Sequence, residues 1–302
     1  MKQTDIITAL RHPKIWGSWL EPDPSSRAAW LSLWRGIFGL PMDDPCRKTF
    51  EECTGRAVPA PLGYREIYVI VGRRGGKTFF MAVTGVFLAC FRRWKATPGE
   101  RLVVLLVAVT ARQAKALMGY IRGLLEGVPA LKGLITRSTQ TEIELSTGVS
   151  IVIEVADFRS VRGSTIVAGL VDEAAFLPPD GSATDKELLI AIRAGMISVP
   201  NSILIVGSTP YSKRGEVWNA HRAWFGKPDA KELVWVAPSL RMNPTLDARI
   251  VEQALEDDPA SARAEYLAEF RDDVSGFVDR EVVEAAVIRG RFEIAPPEEL
   301  AA

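Results

Sequence analysis

Histidine is nearly missing from this chain: His12 and His221 are the only two in 302 residues. A Ser-His-Asp triad or a histidine-rich zinc site is therefore not expected. Cysteine is scarce too. Cys46, Cys53 and Cys90 show no C-x-x-C spacing, and Cys46 and Cys53 lie seven apart, where they can share one helix face. A structural metal is not expected from them, and reduced thiols in a cytosol are the default. Neither sign of charge is in excess, with 37 Lys+Arg against 37 Asp+Glu. Global charge gives no support for nucleic-acid binding, so any DNA contact must come from a local patch or a ring of subunits. There is no basic tail, low-complexity segment or internal repeat. The longest apolar stretch, Phe79 to Phe91, is too short to span a bilayer, and the N-terminus lacks a signal-peptide core. No membrane association is expected.

What is present is a substantial core-forming fraction, 47% hydrophobic residues, in a length that suits one large or two small domains. The most informative stretch runs from Val69 to Thr78, VIVGRRGGKT. A run of β-formers, Ile67 to Val71, turns into glycines and then Lys77-Thr78, and a long apolar helical pattern follows. Strand, Gly-rich turn, Lys-Thr and helix together read as a phosphate-binding P-loop. Gly75 and Gly76 let backbone N–H groups close on phosphate oxygens. The new helix starts with its positive end toward those oxygens. Lys77, read as an exposed loop lysine, can reach the β- and γ-phosphates, and the Thr78 hydroxyl can hold Mg²⁺. The usual G-x-x-x-x-G-K-[ST] pattern puts its first glycine on Val71, whereas Gly72 sits one place late, and Arg73 and Arg74 put two cations in the loop. The plainer reading is a basic Gly-rich turn.

A second element, Ile166 to Phe176, is an apolar run ending in adjacent carboxylates. A buried parallel strand reads as a continuous apolar run, and ligands sit at the carboxyl ends of such strands. Asp172 can bind Mg²⁺, and Glu173 can orient and deprotonate an attacking water. A solvated acidic turn is the alternative. A third element, Ser202 to Pro210, is another apolar strand ending in small hydroxyl residues. Ser208 or Thr209 can hydrogen-bond that water or Glu173 and sense a γ-phosphate, or serve as ordinary turn residues before Pro210.

The wider pattern divides into an N-terminal helical segment or lid (1–63), an ATPase core (64–240) and a C-terminal helical subdomain (241–302). In the first, Trp30, Trp34 and Phe38 share a helix face. They are either core or a docking surface. Asp43-Asp44-Pro45 starts a short helix through Glu52, closed at Gly55. In the core, strand Ile67–Val71 leads to helix Lys77–Arg93 and strand Leu102–Val109 to helix Ala111–Glu126. A hairpin of Thr141–Leu145 and Val149–Glu154 turns at Thr147-Gly148. The strands ending at Asp172 and Ser208 are separated by a loop, Asp180–Asp185, and a helix, Lys186–Met196. A helix Gly215–Phe225 precedes strand Leu233–Ala237. The last part reads as helices Leu246–Glu256 and Pro259–Phe270, a turn at Ser275-Gly276 and a helix Arg280–Ile288. Alternating strands and helices predict an α/β fold with a mainly parallel sheet covered on both sides. Tyr64 and Arg56, just before the first strand, can contact a base or ribose or be structural.

The order GRRGGKT, VRGST, LVDEAAF, GSTP, APSLRMNPTL resembles the ATPase domain of the terminase large subunits of tailed phages and prophages, motors that package DNA into capsids. The resemblance covers roughly residues 45 to 290. It implies a P-loop NTPase of the additional-strand, conserved-glutamate type. It implies ATP hydrolysis, with Mg²⁺, coupled to translocation of double-stranded DNA by a homo-oligomeric ring on the portal protein, with a small terminase subunit as further partner. The implied setting is the host cytoplasm and, transiently, the procapsid portal vertex, with a monomer in dilute solution. Position by position, Gly72, Arg73, Arg74, Gly75, Gly76, Lys77 and Thr78 form the phosphate loop. Asp172 is the magnesium residue, Glu173 the catalytic glutamate and Ser208-Thr209 the coupling motif. Arg162, eleven residues before Glu173, falls where some members place an arginine finger acting on a neighbour's ATP. Other members point instead to the P-loop arginine, here Arg73, acting in cis. Full-length terminases carry a C-terminal RNase H-like nuclease, for which this chain leaves no room. Asp272, Asp273 and Asp279 are not read as a metal site, and nuclease activity is not expected. Two other readings remain: a superfamily-2 helicase fragment, and a nucleotide-gated assembly module with negligible turnover.

Overall fold

A computed structural model describes residues 4–17, 27–157, 161–177 and 184–271. Asp272, Asp273, Asp279, the turn at Ser275-Gly276, the helix expected over Arg280–Ile288 and most of the Asp180–Asp185 loop lie outside them.

The apolar runs of the central region assemble into one eight-stranded sheet. In chain order the strands are β1 (Glu66–Val71), β2 (Leu102–Ala108), β3 (Ile135–Ser138), β4 (Glu142–Leu145), β5 (Val149–Val155), β6 (Thr165–Val171), β7 (Ile203–Ser208) and β8 (Leu233–Ala237). Their spatial order is β3-β4-β5-β2-β6-β7-β1-β8. Strands β5, β2, β6, β7, β1 and β8 are mutually parallel, and β4 and β3 add an antiparallel edge. Strand β7 thus lies between β1 and β6, pairing Ile70 with Ser208 on one side and Val171 with Val206 on the other. The expected α/β architecture, a mostly parallel sheet flanked by helices, is what the chain forms.

The strands are buried on both faces because successive side chains alternate. Ile67, Val69 and Val71 of β1 face one hydrophobic cluster, while Tyr68 and Ile70 face the other. The first face is covered by the N-terminal helices α1 (Ile6–Arg11), α2 (Ala28–Phe38) and α3 (Asp44–Thr54), by α4 (Lys77–Cys90) and by α5 (Ala111–Glu126). The short helix α6 (Pro129–Lys132) follows α5. The other face carries α7 (Asp185–Met196) and α8 (Gly215–Trp224). A short helix α9 (Ser239–Met242) and a hairpin of α10 (Ala248–Asp257) and α11 (Pro259–Leu267) follow β8.

Local chemistry sets the helix ends. Asp43 caps α3 by accepting the Cys46 N–H, and Gly55 closes it at φ 67°. Thr110 and Gln113 form a capping box on α5, as Thr184 and Glu187 do on α7. Helix α4 stops at Cys90 instead of continuing to Arg93, and the Trp94 indole folds back to donate to the Leu88 carbonyl at 3.0 Å. Helix α11 ends at Leu267, short of the expected Phe270, where Ala268 turns left-handed at φ 60°.

Trp30 and Trp34 are buried and stack on Phe80 of α4 with centroids 4.6 and 5.0 Å apart. They are core residues, not a docking surface. Cys53 and Cys90 are free thiols pushed up to about 12 by burial, which makes them inert as nucleophiles.

Candidate functional site

The parallel strands β1, β6 and β7 end side by side, at Val71, Val171 and Ser208, and the predicted site residues leave the sheet there. From Gly72 the chain bends through Arg73 to Gly76 and enters α4 at Lys77. Gly76 sits at the N-cap with φ 100°, and no side chain caps this helix. The first-turn N–H groups and the helix dipole therefore face the loop without a protein anion on them. Gly72 is required for space. A Cβ there would sit 2.3 Å from Ser239 Oγ and 2.7 Å from the Tyr266 carbonyl. That crowding accounts for a glycine one place later than the usual pattern.

Lys77 is 5% exposed, so it is not the exposed loop lysine expected from the sequence. Its Nζ lies under the loop, donating to the Val71 carbonyl and to Thr209 Oγ1, each at 2.8 Å, with Glu173 Oε1 at 3.5 Å. The Thr78 hydroxyl donates to Asp172 Oδ2 at 2.8 Å. Glu173 Oε2 accepts the Thr209 N–H at 3.1 Å, and Ser208 Oγ, which accepts the Ala175 N–H, lies 3.5 Å away. Lys77, Thr78, Asp172, Glu173, Ser208 and Thr209 thus form one connected cluster drawn from three strand ends.

Two features mark the cluster as more than packing. Arg74 and Glu173 both adopt the left-handed conformation, at φ 63° and 56°, which costs on the order of 1 kcal/mol each for residues other than glycine. Asp172 is 3% exposed, and its Oδ1 is buried without a hydrogen-bond partner. Burial, reinforced by the neighbouring Glu173 carboxylate, pushes Asp172 up to about 6. A carboxylate with one oxygen on a threonine hydroxyl and the other unpartnered suits a divalent cation that takes its remaining ligands from phosphate and water. Among the described residues there is no group of three or more His, Cys, Asp or Glu able to hold a metal on its own, so any such ion depends on the phosphates as well.

The arginines part ways. Arg73 is at the loop but turned outward, its Nη1 3.0 Å from Glu265 Oε2 on α11. Arg162 lies just before Thr165, where β6 begins, whereas Glu173 follows its far end. Arg56 and Tyr64 are at the amino end of the sheet, away from Glu173. Arg56 is 2% exposed and donates to the carbonyls of Ala230, Trp224 and Glu232, with its guanidinium 5.5 Å from the Tyr64 ring centroid. Contact with a base or ribose in the cluster is excluded by position, and both residues are structural.

Sequence reasoning missed the residues that hold the loop from outside. The Trp30 indole donates to the Gly75 carbonyl at 2.9 Å, Ser239 Oγ to the Arg73 carbonyl at 2.6 Å and Asn243 Nδ2 to the Arg74 carbonyl at 3.0 Å. Ser239 and Asn243 belong to the APSLRMNPTL stretch, whose spacing gave no sign that it reaches the loop.

No protein-family model matches the chain, and no curated protein does. Solved structures do. The HK97 bacteriophage large terminase is similar at 18% identity and a TM-score of 0.56, over 86% of this chain and 58% of that one. The Thermus phage P74-26 large terminase ATPase domain is similar at 16% identity and 0.55, over 79% of this chain and 97% of that one. The large terminase of another thermophilic bacteriophage, in complex with ADP, is similar at 12% and 0.50, over 68% and 48%. The molecule is an α/β domain with its polar residues gathered at the carboxyl end of a mostly parallel sheet. Its fold is that of the ATPase domains of phage large terminases, and it spans 58% of the length of the HK97 protein. No helix among the described residues is long and apolar enough to cross a membrane.

Proposed function

We propose that this chain is the ATPase motor domain of a phage terminase large subunit, hydrolysing ATP to drive double-stranded DNA into a procapsid. The observation that carries the reading is the convergence of Lys77, Thr78, Asp172, Glu173, Ser208 and Thr209 at three adjacent strand ends, in a fold shared with terminase ATPase domains. The insertion of β7 between β1 and β6 supports the additional-strand, conserved-glutamate subtype.

In this reading the loop N–H groups from Gly72 to Thr78 cradle the phosphates. Lys77 leaves the Val71 carbonyl and Thr209 for the β- and γ-phosphate oxygens. Thr78 and Asp172 would hold Mg²⁺, which would supply charge neutralisation to the phosphates. Glu173, held by the Thr209 N–H, orients a water in line with the γ-phosphorus and takes its proton. Loss of the γ-phosphate returns Lys77 to Thr209, so the segment after β7 registers the state of the nucleotide. Arg162 is assigned to a neighbouring subunit's ATP in a ring on the portal, as the resemblance to terminases implies. Arg73 is the cis alternative.

The experiment is ATP binding and turnover at high protein concentration, with and without double-stranded DNA. Lys77→Ala is expected to abolish binding or hydrolysis. Glu173→Gln is expected to bind ATP with Mg²⁺ and lose turnover by roughly 10²- to 10⁴-fold. Wild-type turnover by a folded Lys77→Ala protein would end this reading. Binding without DNA-stimulated turnover in the wild type would favour a nucleotide-gated assembly module.

A further inference from the structure

Trp30 and Trp34 lie one turn apart on α2, and both are buried and stacked on Phe80. As packing they are near equivalents. Their indole N–H groups are not. Trp34 donates to the Thr84 hydroxyl at 2.9 Å, inside the core, whereas Trp30 donates to the Gly75 carbonyl, also at 2.9 Å, in the phosphate loop.

A trans peptide holds its C=O and the N–H that follows on opposite sides. Fixing a carbonyl therefore fixes the next donor. Ser239 on the Arg73 carbonyl, Asn243 on the Arg74 carbonyl and Trp30 on the Gly75 carbonyl orient the N–H groups of Arg74, Gly75 and Gly76 in turn. The Gly75 N–H closes the turn by donating to the Gly72 carbonyl at 3.2 Å. The N–H groups of Arg74 and Gly76 have no acceptor among the described residues. Arg74 and Gly76 are both left-handed, at φ 63° and 100°, and flank Gly75 in a backbone suited to an anion-binding nest. The Gly76 N–H leads into the uncapped first turn of α4. The peptide that carries it lies between two glycines, so it has the widest conformational choice in the loop. It is also the peptide that Trp30 holds.

We infer that Trp30 is a positioning residue of the phosphate site: its indole N–H locks the Gly75–Gly76 peptide so that the Gly76 N–H is presented to a phosphate oxygen before any ligand arrives. Ordering the loop in advance removes that cost from binding. The ligand class is a polyphosphate, held at this point through backbone alone whatever base it carries. The inference rests on the nucleotide-binding reading above, and it makes the N-terminal helix α2 part of the site as well as a cover for the sheet.

The test is calorimetry on the full chain with two probes, ATP-γ-S and inorganic triphosphate, each with Mg²⁺. Trp30→Phe keeps a ring on Phe80 and removes the donor. It is expected to weaken both probes by about two- to ten-fold, the scale of one hydrogen bond. Trp34→Phe removes the same ring area and one indole hydrogen bond from the same core. It is expected to lower stability in denaturant melts by a similar amount and to bind both probes as the wild type does. Replacing Trp30 with 3-benzothienylalanine, whose sulfur takes the place of the N–H in a matching fused ring, gives the same weakening and substitutes if the phenylalanine variant does not fold. In turnover assays the loss is expected in KM for ATP more than in kcat, since Lys77, Asp172 and Glu173 are untouched. Wild-type affinity in the Trp30 variants, an equal loss in Trp34→Phe, or a loss confined to ATP-γ-S would each overturn the assignment, the last by placing the indole on the base. A wild-type chain that binds neither probe would overturn the site reading and the role of Trp30 together. A wild type that binds while the Trp30 variants bind equally well would remove the role of Trp30 alone.

Discussion

The two ends of the central sheet are treated oppositely. At the amino end, each arginine is held at two or more points. Arg56 gives its terminal nitrogens to three carbonyls, leaving only Nε without a partner. Arg65 holds Ser202 through its carbonyl at 3.2 Å and its hydroxyl at 3.0 Å. Arg193 grips both oxygens of Glu66, at 2.6 and 3.2 Å, and the Tyr68 hydroxyl. At the carboxyl end the polar groups are less completely tied. Lys77 rests on one carbonyl and one hydroxyl, Asp172 keeps one oxygen unpartnered, and two backbone positions are strained. A charge with several partners holding it has no second state to switch to, whereas an oxygen left unpartnered or an ammonium on one hydroxyl does. The difference separates structure from chemistry without reference to any ligand.

Three measurements can break or sharpen that contrast. The largest effect is expected at Arg162, which precedes β6 in the chain and is assigned to a neighbour's site. A trans arginine finger is worth roughly 10³- to 10⁵-fold in rate and little in ground-state affinity. Arg162→Ala is therefore expected to lower turnover of the assembled protein far more than ATP binding. Mixing it with Glu173→Gln should restore activity where an intact Glu173 meets an intact Arg162. Mixed assemblies that stay inactive would return Arg162 to the structural set.

Arg56 comes next. Arg56→Ala strands three carbonyls and empties a buried site, which is expected to cost about 2–4 kcal/mol of stability. Arg56→Lys should not rescue it, because a single ammonium cannot span the fork. Nucleotide affinity of the folded variant should be unchanged. Denaturant melts with calorimetric binding check both halves, and a loss of affinity without a loss of stability would contradict the division between the two ends.

The smallest effect, and the one that goes the other way, is at Asp172. Its pKa of about 6 in the fold lies above the ordinary 3.8, so the folded chain holds that proton more tightly than the unfolded chain. The resulting stabilisation is complete below pH 3.8 and lost as pH rises through about 6. Asp172→Asn is therefore expected to be more stable than wild type above about pH 6, by on the order of 1–3 kcal/mol, with the two converging toward about pH 4. The proposed Mg²⁺ binding would need the ionised carboxylate and should weaken in the wild type as pH falls through the same window. Melting curves that coincide from about pH 4 to 8 would show that Asp172 carries no such penalty.

Much of the architecture was legible because it is written locally. Asp43 and Gly55 bracket one helix, Thr110 and Gln113 start another, and Leu233–Ala237 is a self-evident strand. Strand β3 was not legible. It is a four-residue edge whose Thr136, Arg137 and Ser138 are exposed, so it carries no alternating pattern. Helix α9 is likewise too short for a helical period to register. At the site, the motif residues could be read because each lies at the end of an apolar run. Trp30, Ser239, Asn243 and Glu265 could not, since they reach the loop only through tertiary packing. The same packing turned Lys77 from an exposed loop residue into a buried one, so Lys77→Ala tests stability as well as binding.

The indole of Trp30 has an optical consequence. It donates to the Gly75 carbonyl and would be the nearest neighbour of a side chain added at Gly76, at 3.4 Å. A fluorophore is thereby tied to the loop proposed to receive phosphate. Trp16 and Trp235 are anchored elsewhere, on the Leu124 carbonyl and the Met242 sulfur, and supply a steadier background. Nucleotide arrival should register as a change in the protein's own emission, at a rate a stopped-flow instrument can follow without a label. Trp30→Phe, which keeps the ring stacked on Phe80 but cannot donate, should silence it.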